Sequence, residues 1–384
     1  MDPKGAVAGR FPLVARPRPA CIPLPDRVDD LCRRAGAAAH HNDAAGAVSV
    51  FNLAALLASD CGLPDLARQW SIRLAHMMLL RSPHDFRGAS HSVEPIVNLA
   101  RLRTRAGDGF GAWSILEKLY RSVALRSDAS IDGIEVPASR LADTDESHRE
   151  LCEWLWAVLL SSGARALAVA GRWEDAHRRL DRHRGIGDRL LDGRQIAVIA
   201  NATAGRRDVA LALLRETASG EPWEGAVAAC LTLLCQPHGL ANVGEKEAAV
   251  ALCRALDTTG AGLVVFHTRL GLSLVDALGG ADHPLTEPIL ADLASRASTD
   301  GYAARDLLAH SDCRRMLTRQ YVVRLATLVD ACGLDIGSMP DPLLTRLSGA
   351  LDTAERVIIL VIPSASPPDV SNGQSAISSG DERG

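Results

Sequence analysis

The side chains in this sequence with the most evident chemical potential are arginines. Asn98, Arg101 and Arg105 stand at i, i+3 and i+7, so a helix would carry them on one face. A guanidinium there could take a carboxylate through two parallel N–H bonds. The competing reading is a solvated polar face in an arginine-biased chain. Arg182, Arg184 and Arg189 form a second set around Gly185-Ile186-Gly187. Glycine-link amides plus arginines could hold a phosphate. No strand precedes that link, however, and Asp181, Asp188 and Asp192 offset its charge. An ordinary turn with arginines at helix ends reads as well.

Other chemistries lack their residues. His40, His41, His76, His84 and His91 are scattered, with no His-x-x-x-His or Cys-x-x-Cys, so no metal site is expected. Neither a Gly-x-Ser-x-Gly nor a phosphate-loop lysine occurs. No cofactor is expected. The six tryptophans read as packing anchors, and no basic stripe with interleaved aromatics suggests nucleic acid.

Composition supports a large helical core. Of 384 residues 47% are hydrophobic but only 4% aromatic. The apolar mass is Ala, Leu and Val, which favours close helix packing. Only Lys4, Lys118 and Lys246 are lysines among 42 basic residues. That bias points to a GC-rich, actinobacterial genome. Net charge is −4, so no global field draws nucleic acid or an anionic membrane. The nine scattered cysteines suit reduced thiols in a cytoplasmic protein. No apolar run is long enough for a signal peptide or a membrane span.

The elements follow from periodicity. Residues 1–25 carry six prolines and several arginines and read as a disordered or extended arm. Asp26 is expected to cap the first helix. Helices are then expected at Asp43–Ser59, Leu63–Leu80, Glu94–Ala106 and Phe110–Leu125, with a polar loop over 81–92. Residues 127–145 break the pattern, and Asp132-Gly133 suggests a small hairpin. Helices resume at Glu146–Ala170, Trp173–His183, Gln195–Ala204, Asp208–Ala218 and Trp223–Leu234. Six more follow, at 245–258, 262–278, 285–297, 302–309, 312–331 and 341–361. The tail 363–384 reads as disordered.

One unit recurs. Gly171 and Gly205 are 34 residues apart, each followed five residues on by alanine and nine on by leucine (Leu180, Leu214). Gly62 with Ala67 and Gly107 with Ala112 fit the same template. The glycine ends a helix in a left-handed conformation, and the alanine lets the next helix come close. Asn98-Leu99-Ala100 before Gly107 and Asn52-Leu53-Ala54 before Gly62 extend the match.

This pattern resembles the tetratricopeptide repeat, whose period is about 34 residues. The resemblance covers roughly residues 45–220. Spacings among the first three glycines are irregular, and the family's aromatic before the turn is missing. The resemblance implies an all-α fold: an α-solenoid, a right-handed superhelix of antiparallel helix pairs. Repeats would span 26–239 with an insertion at 127–145, and divergent helices would fill 240–362. It also implies that the first helix of each pair lines a concave groove. Asn98, Arg101, Arg105, Arg165 and Gln195 would then hold a protein or peptide partner there.

Three functions are compatible with this reading. The first is a non-enzymatic scaffold or regulatory protein that binds a peptide in its groove. The second is a ligand-sensing repeat domain, without a DNA-binding module, that takes a small molecule. The third is an all-helical enzyme or accessory factor of a biosynthetic pathway, with a site between the repeats and the C-terminal half; a cleft with converging ionisable groups around Trp154, Trp156 and His148 would support it.

Overall fold

The computed structural model describes residues 1–81, 84–237, 241–256 and 262–362. The expected tail, 363–384, and the expected boundary at 239 lie outside the described residues. The described chain is all-helical apart from one hairpin, Ala129–Ile131 (β1) and Ile134–Val136 (β2).

A single turn, α1 (Ala6–Gly9), precedes α2 (Leu24–His41) and α3 (Ala44–Asp60). Next come α4 (Pro64–Leu79), α5 (Phe86–Arg105) and α6 (Gly109–Ala124). Beyond the hairpin stand α7 (Asp145–Val158), α8 (Ala164–Val169), α9 (Trp173–Arg182), α10 (Asp192–Thr203) and α11 (Arg207–Arg215). The rest is α12 (Pro222–Cys235), α13 (Val243–Arg254), α14 (Val264–Leu278), α15 (Glu287–Ala297), α16 (Gly301–Ala309), α17 (Ser311–Met316), α18 (Arg319–Ala331) and α19 (Asp341–Val361).

The repeated glycines do what their chemistry requires. Gly62, Gly107, Gly171 and Gly205 have φ of 76°, 79°, 70° and 80°, a region that costs a Cβ-bearing residue steric strain. Each reverses the chain between two helices. Ala67, Ala112, Ala176 and Ala210, five residues later, are all fully buried against the preceding helix. Gly109 goes further: a Cβ there would meet the Ala166 carbonyl oxygen at 2.4 Å.

Helices pack mainly on their sequence neighbours, from α2 against α3 through to α16 against α18. Alternate helices also touch: α3 on α5, α5 on α8, α8 on α10, α12 on α14 and α14 on α16. The last helix, α19, returns to pack on α2 and α3. The backbone seals this return, with Asp335 N–H donating to the Asp60 carbonyl and Gly337 N–H to that of Cys61, both at 2.8 Å. One core cluster joins α2, α3, α4 and α19, and a larger one runs through the remaining helices.

Four boundaries differ from expectation. Helix α2 starts at Leu24 after Pro23, so Asp26 lies in its first turn and does not cap it. Helix α5 begins at Phe86, within the expected loop, because the Asp85 carboxylate caps Gly88 N–H at 2.7 Å; the helix then runs through Pro95. The expected helix 146–170 is widened at 159–163 into a π turn. There Gly163 faces the Trp113 ring so closely that a Cβ would sit 2.9 Å from it. The expected helix 312–331 is broken at Leu317, whose backbone is extended.

The insertion is the hairpin foreseen. Ile131 pairs with Ile134 across Asp132 and Gly133, both at positive φ. The Asp132 carboxylate takes an ion pair from Arg68 of α4 and another from Arg103 of α5, the latter at 2.7 Å.

The largest difference concerns residues 1–23, expected to be a disordered or extended arm. They are ordered and packed on the helices, and Phe11, Leu13 and Cys21 are buried. Composition misled because proline depletes hydrophobic content. Yet proline also fixes φ in advance, so an extended proline-rich segment loses less conformational entropy when it binds.

Candidate functional site

The N-terminal segment runs past several helices, and polar side chains hold its backbone. Near its start, the Trp173 indole N–H donates to the Pro3 carbonyl at 2.8 Å. Gly171 packs so close to Lys4 that a Cβ would stand 2.8 Å from its Cγ. Further on, Arg10 Nε donates to Ser273 Oγ at 3.1 Å, and its guanidinium pairs with Asp276. Both contacts lie on α14.

Gln195 grips the middle of the segment. Leu13 N–H donates to Gln195 Oε1 at 2.7 Å, and Gln195 Nε2 donates back to the Leu13 carbonyl at 2.7 Å. The same Nε2 donates to the Leu190 carbonyl at 2.9 Å. Gln195 is fully buried, so its amide has exchanged water for these partners. One residue earlier, Arg165 Nη1 donates to the Pro12 carbonyl at 3.2 Å.

The segment then passes the helix starts of the C-terminal half. Arg16 pairs with Asp192 on α10. Arg18 N–H donates to the Gly262 carbonyl at 2.9 Å, and its guanidinium lies over the Tyr302 ring, 5.1 Å from the centroid. Asp300 caps α16 and also accepts Cys21 N–H at 2.9 Å. Gly301 N–H donates to the Cys21 carbonyl at 2.8 Å.

Of the five expected groove residues, then, Gln195 and Arg165 hold a peptide segment, and it is the chain's own. The other three share the expected face of α5 but make different contacts. Asn98 Nδ2 donates to Asn52 Oδ1 at 2.9 Å, and Asn52 Nδ2 to Glu94 Oε2 at 3.1 Å. Arg101 Nη1 donates to Asn98 Oδ1 at 2.7 Å. Arg105 Nη2 pairs with Asp60 at 3.0 Å.

Asp60, just past the end of the expected helix Asp43–Ser59, is a junction that the sequence reading missed. Buried at the end of α3, it also receives Arg27 Nη2 of α2 at 2.7 Å and the Tyr302 hydroxyl of α16. No local sequence pattern announces this, because its partners come from three distant elements.

Arg16, Arg105 and Arg269 each have a carboxylate partner, Asp306 serving Arg269 at 2.9 Å. Arg18, Arg101 and Arg165 have none among the described residues. All three keep accessible surface, and Arg101 is exposed. Even so, surrounding protein pushes each guanidinium pKa down, Arg165 to about 10. The charge of Arg18 adds to the lowering at both Arg101 and Arg165, against the opposite pull of Glu94 on Arg101 and of Asp192 on Arg165. All stay protonated at neutral pH.

The second expected set does not form an anion site. Arg189 is committed to Glu224, which also accepts Leu190 N–H at 3.1 Å. Burial pushes the Glu224 pKa up, but Arg189 and backbone amides hold it below the usual carboxylate range. Arg182 and Arg184 are exposed and have no shared hydrogen-bond or ion-pair partner among the described residues. The glycine link serves close packing instead, since a Cβ on Gly193 would strike the Gly185 carbonyl at 1.9 Å.

Around Trp154, Trp156 and His148 the ionisable contacts are His148 Nε2 with Cys152 Sγ at 3.6 Å and His183 Nε2 with Glu117 Oε1 at 3.3 Å. His148 Nε2 meets the Val123 carbonyl at 2.9 Å, and Trp156 Nε1 donates to that of His183 at 3.2 Å. Among the described residues no group of three His, Cys, Asp or Glu side chains could hold a metal ion, and no helix is long and apolar enough to cross a membrane. No protein-family model, curated protein or solved structure matches this chain.

Proposed function

We propose that this protein is a non-enzymatic helical-repeat scaffold or regulatory protein whose groove binds an extended peptide segment. In this reading the helix pairs stack as a tetratricopeptide-like, right-handed superhelix. The row α3, α5, α8, α10, α14 and α16 lines its concave side. The observation that carries the reading is Gln195 satisfying both backbone polar groups of Leu13, with Arg165 on the Pro12 carbonyl. Side-chain bonds to main-chain groups recognise an extended strand of any sequence, and pockets for alternate side chains such as Phe11 add selectivity.

Residues 1–21 act as the resident guest, which an outside partner would have to displace. Displacement exposes Phe11 and Leu13, at roughly 1.5–3 kcal/mol each, so a competitor must bring comparable apolar anchors.

A protease site inserted beside the exposed Ile22 tests the proposal. After cleavage, a fluorescent peptide copying residues 1–21 should exchange into the groove with a saturable rise in anisotropy. Gln195→Ala should weaken that binding by about tenfold or more. A severed arm that stays bound indefinitely, or a labelled peptide that binds both proteins alike, contradicts the proposal.

A further inference from the structure

We propose that Cys21 and Cys332 form a reversible, peroxide-driven disulfide that locks the N-terminal segment onto the C-terminal half of the chain. Both are free thiols, and both are fully buried. Cys21 lies near the end of the seated segment, and Cys332 is the C-cap of α18. They share one small core cluster with Val265, Tyr302 and Leu334. Cys332 Sγ donates to the Cys21 carbonyl at 3.3 Å, and Gly301 N–H donates to the same carbonyl at 2.8 Å. The two sulfurs crowd a single point: a Cβ on Gly301 would stand 2.6 Å from Cys332 Sγ and 2.9 Å from Cys21 Sγ. Only glycine at 301 leaves room for them to meet. The Cys21 backbone is held on both sides, since its N–H donates to the Asp300 carboxylate at 2.9 Å. Its place beside Cys332 is thus set before any bond forms, as the strict geometry of a disulfide requires.

The surroundings divide the roles of the two sulfurs. Arg27 Nη1 stands 4.0 Å from Cys21 Sγ and brings positive charge to the pair. A hydrogen bond between the thiols pushes the pKa of Cys332 down and that of Cys21 up, and Gly301 N–H adds to the lowering at Cys332. Cys332 therefore supplies the attacking thiolate. Burial closes the pair to solvent while the segment is seated, so hydrogen peroxide enters when the segment lifts locally. The Cys332 thiolate attacks one peroxide oxygen and the O–O bond breaks. The sulfur is oxidised to a sulfenic acid, and the departing hydroxide takes up a proton to become water. When the segment reseats, the Cys21 sulfur attacks the sulfenic sulfur, the S–O bond breaks, and a second water leaves with the Cys21 proton. Two thiols and one hydrogen peroxide thus give one disulfide and two waters. The bond joins residues 311 positions apart. Oxidised protein keeps its resident segment, and reduced protein can exchange it. That gating rests on the groove reading; the bond itself does not.

The test treats the full chain with stoichiometric hydrogen peroxide. Remaining thiols are then blocked with N-ethylmaleimide in denaturant, and peptides are mapped by mass spectrometry without reductant. The proposal expects the chain to lose two hydrogens and to yield one linked pair of peptides, carrying Cys21 and Cys332. Dithiothreitol should return both thiols. Absence of that link, or a link made by the nearby Cys61 in place of either sulfur, overturns the proposal. The parent protein carries this result, so it does not depend on a variant folding. The gate is read in the protein cleaved beside Ile22. After oxidation it should stop taking up a labelled peptide of residues 1–21 bearing Cys21→Ser, and should resume when dithiothreitol is added. Cys332→Ser should exchange alike before and after peroxide. Undiminished exchange in protein that carries the mapped bond overturns the gate. A mapped bond in a chain whose reduced segment never exchanges would leave the disulfide standing and remove the peptide reading; exchange without a mapped bond would do the opposite.

Discussion

The carboxamide of Gln195 meets both main-chain groups of Leu13, 182 positions earlier, through two hydrogen bonds of 2.7 Å. A single buried side chain thereby replaces the partner strand that an extended segment would otherwise need. Gln195→Leu keeps similar bulk and removes both bonds, together with the one to the Leu190 carbonyl. Two buried backbone groups left unpaired should cost about 2–4 kcal/mol, measured by urea denaturation. A loss within experimental error of zero would mean that Leu13 is solvated.

Asp60 ties α2, α5 and α16 into one junction through Arg27, Arg105 and Tyr302. Asp60→Asn leaves Arg27 and Arg105 without their carboxylate and should cost about 3–5 kcal/mol. Tyr302→Phe removes one hydrogen bond to a charged group, for about 1.5–3 kcal/mol. Because the two residues share one bond, the double variant should lose less than the sum, and a double-mutant cycle measures the difference. Strict additivity would show that they do not interact.

His310 makes stability depend on acid. Its Nδ1 accepts Cys313 N–H at 3.3 Å, and its Nε2 faces Asp276 at 3.2 Å. In the neutral tautomer with Nε2 protonated both bonds are satisfied; a second proton would set Nδ1–H against the Cys313 N–H. Burial, then the nearby Arg10, pushes the His310 pKa down. Burial lowers His91 and His177 in the same direction. The folded protein therefore binds protons more weakly than the unfolded chain. The stability this contributes is present above the unfolded value of about 6.5 and is lost as pH falls through the folded values. Melting between pH 7.5 and 5 should show this decline, and His310→Asn should flatten part of it; an unchanged slope would exclude His310.

The turn alanines set how closely helices approach. Ala112 is fully buried between α5 and α6, beside Gly109 and its contact with Ala166. Ala112→Leu adds volume where no space exists and should cost about 1–3 kcal/mol, and more if the helices cannot part. Calorimetry would read this directly, and an unchanged Tm would show that the turns are loosely packed.

The helical framework was legible in the sequence for a local reason. A glycine at positive φ and an alanine five residues on constrain only their own turn, so Gly62, Gly107, Gly171 and Gly205 could be read without knowing the fold. Gln195 and Arg165 could be singled out by their place in that unit, although the spacing could not say what they hold. The guest itself was missed, because proline and arginine over residues 1–23 depress hydrophobic content while Phe11 and Leu13 carry the burial. Asp60, Arg27 and Tyr302 stayed hidden because their meeting depends on α19 and residues 335–337 returning to α2 and α3. Long-range closure of that kind leaves no periodic trace.

The measurement closest to the central claim is amide hydrogen exchange over residues 8–21 in the intact protein. With the segment seated, Leu13 N–H should exchange far more slowly than a free peptide of the same sequence, and Gln195→Ala should release it while the helices stay protected. Exchange of Leu13 at the free-peptide rate in the parent protein would contradict the account, because the groove would then have no resident strand.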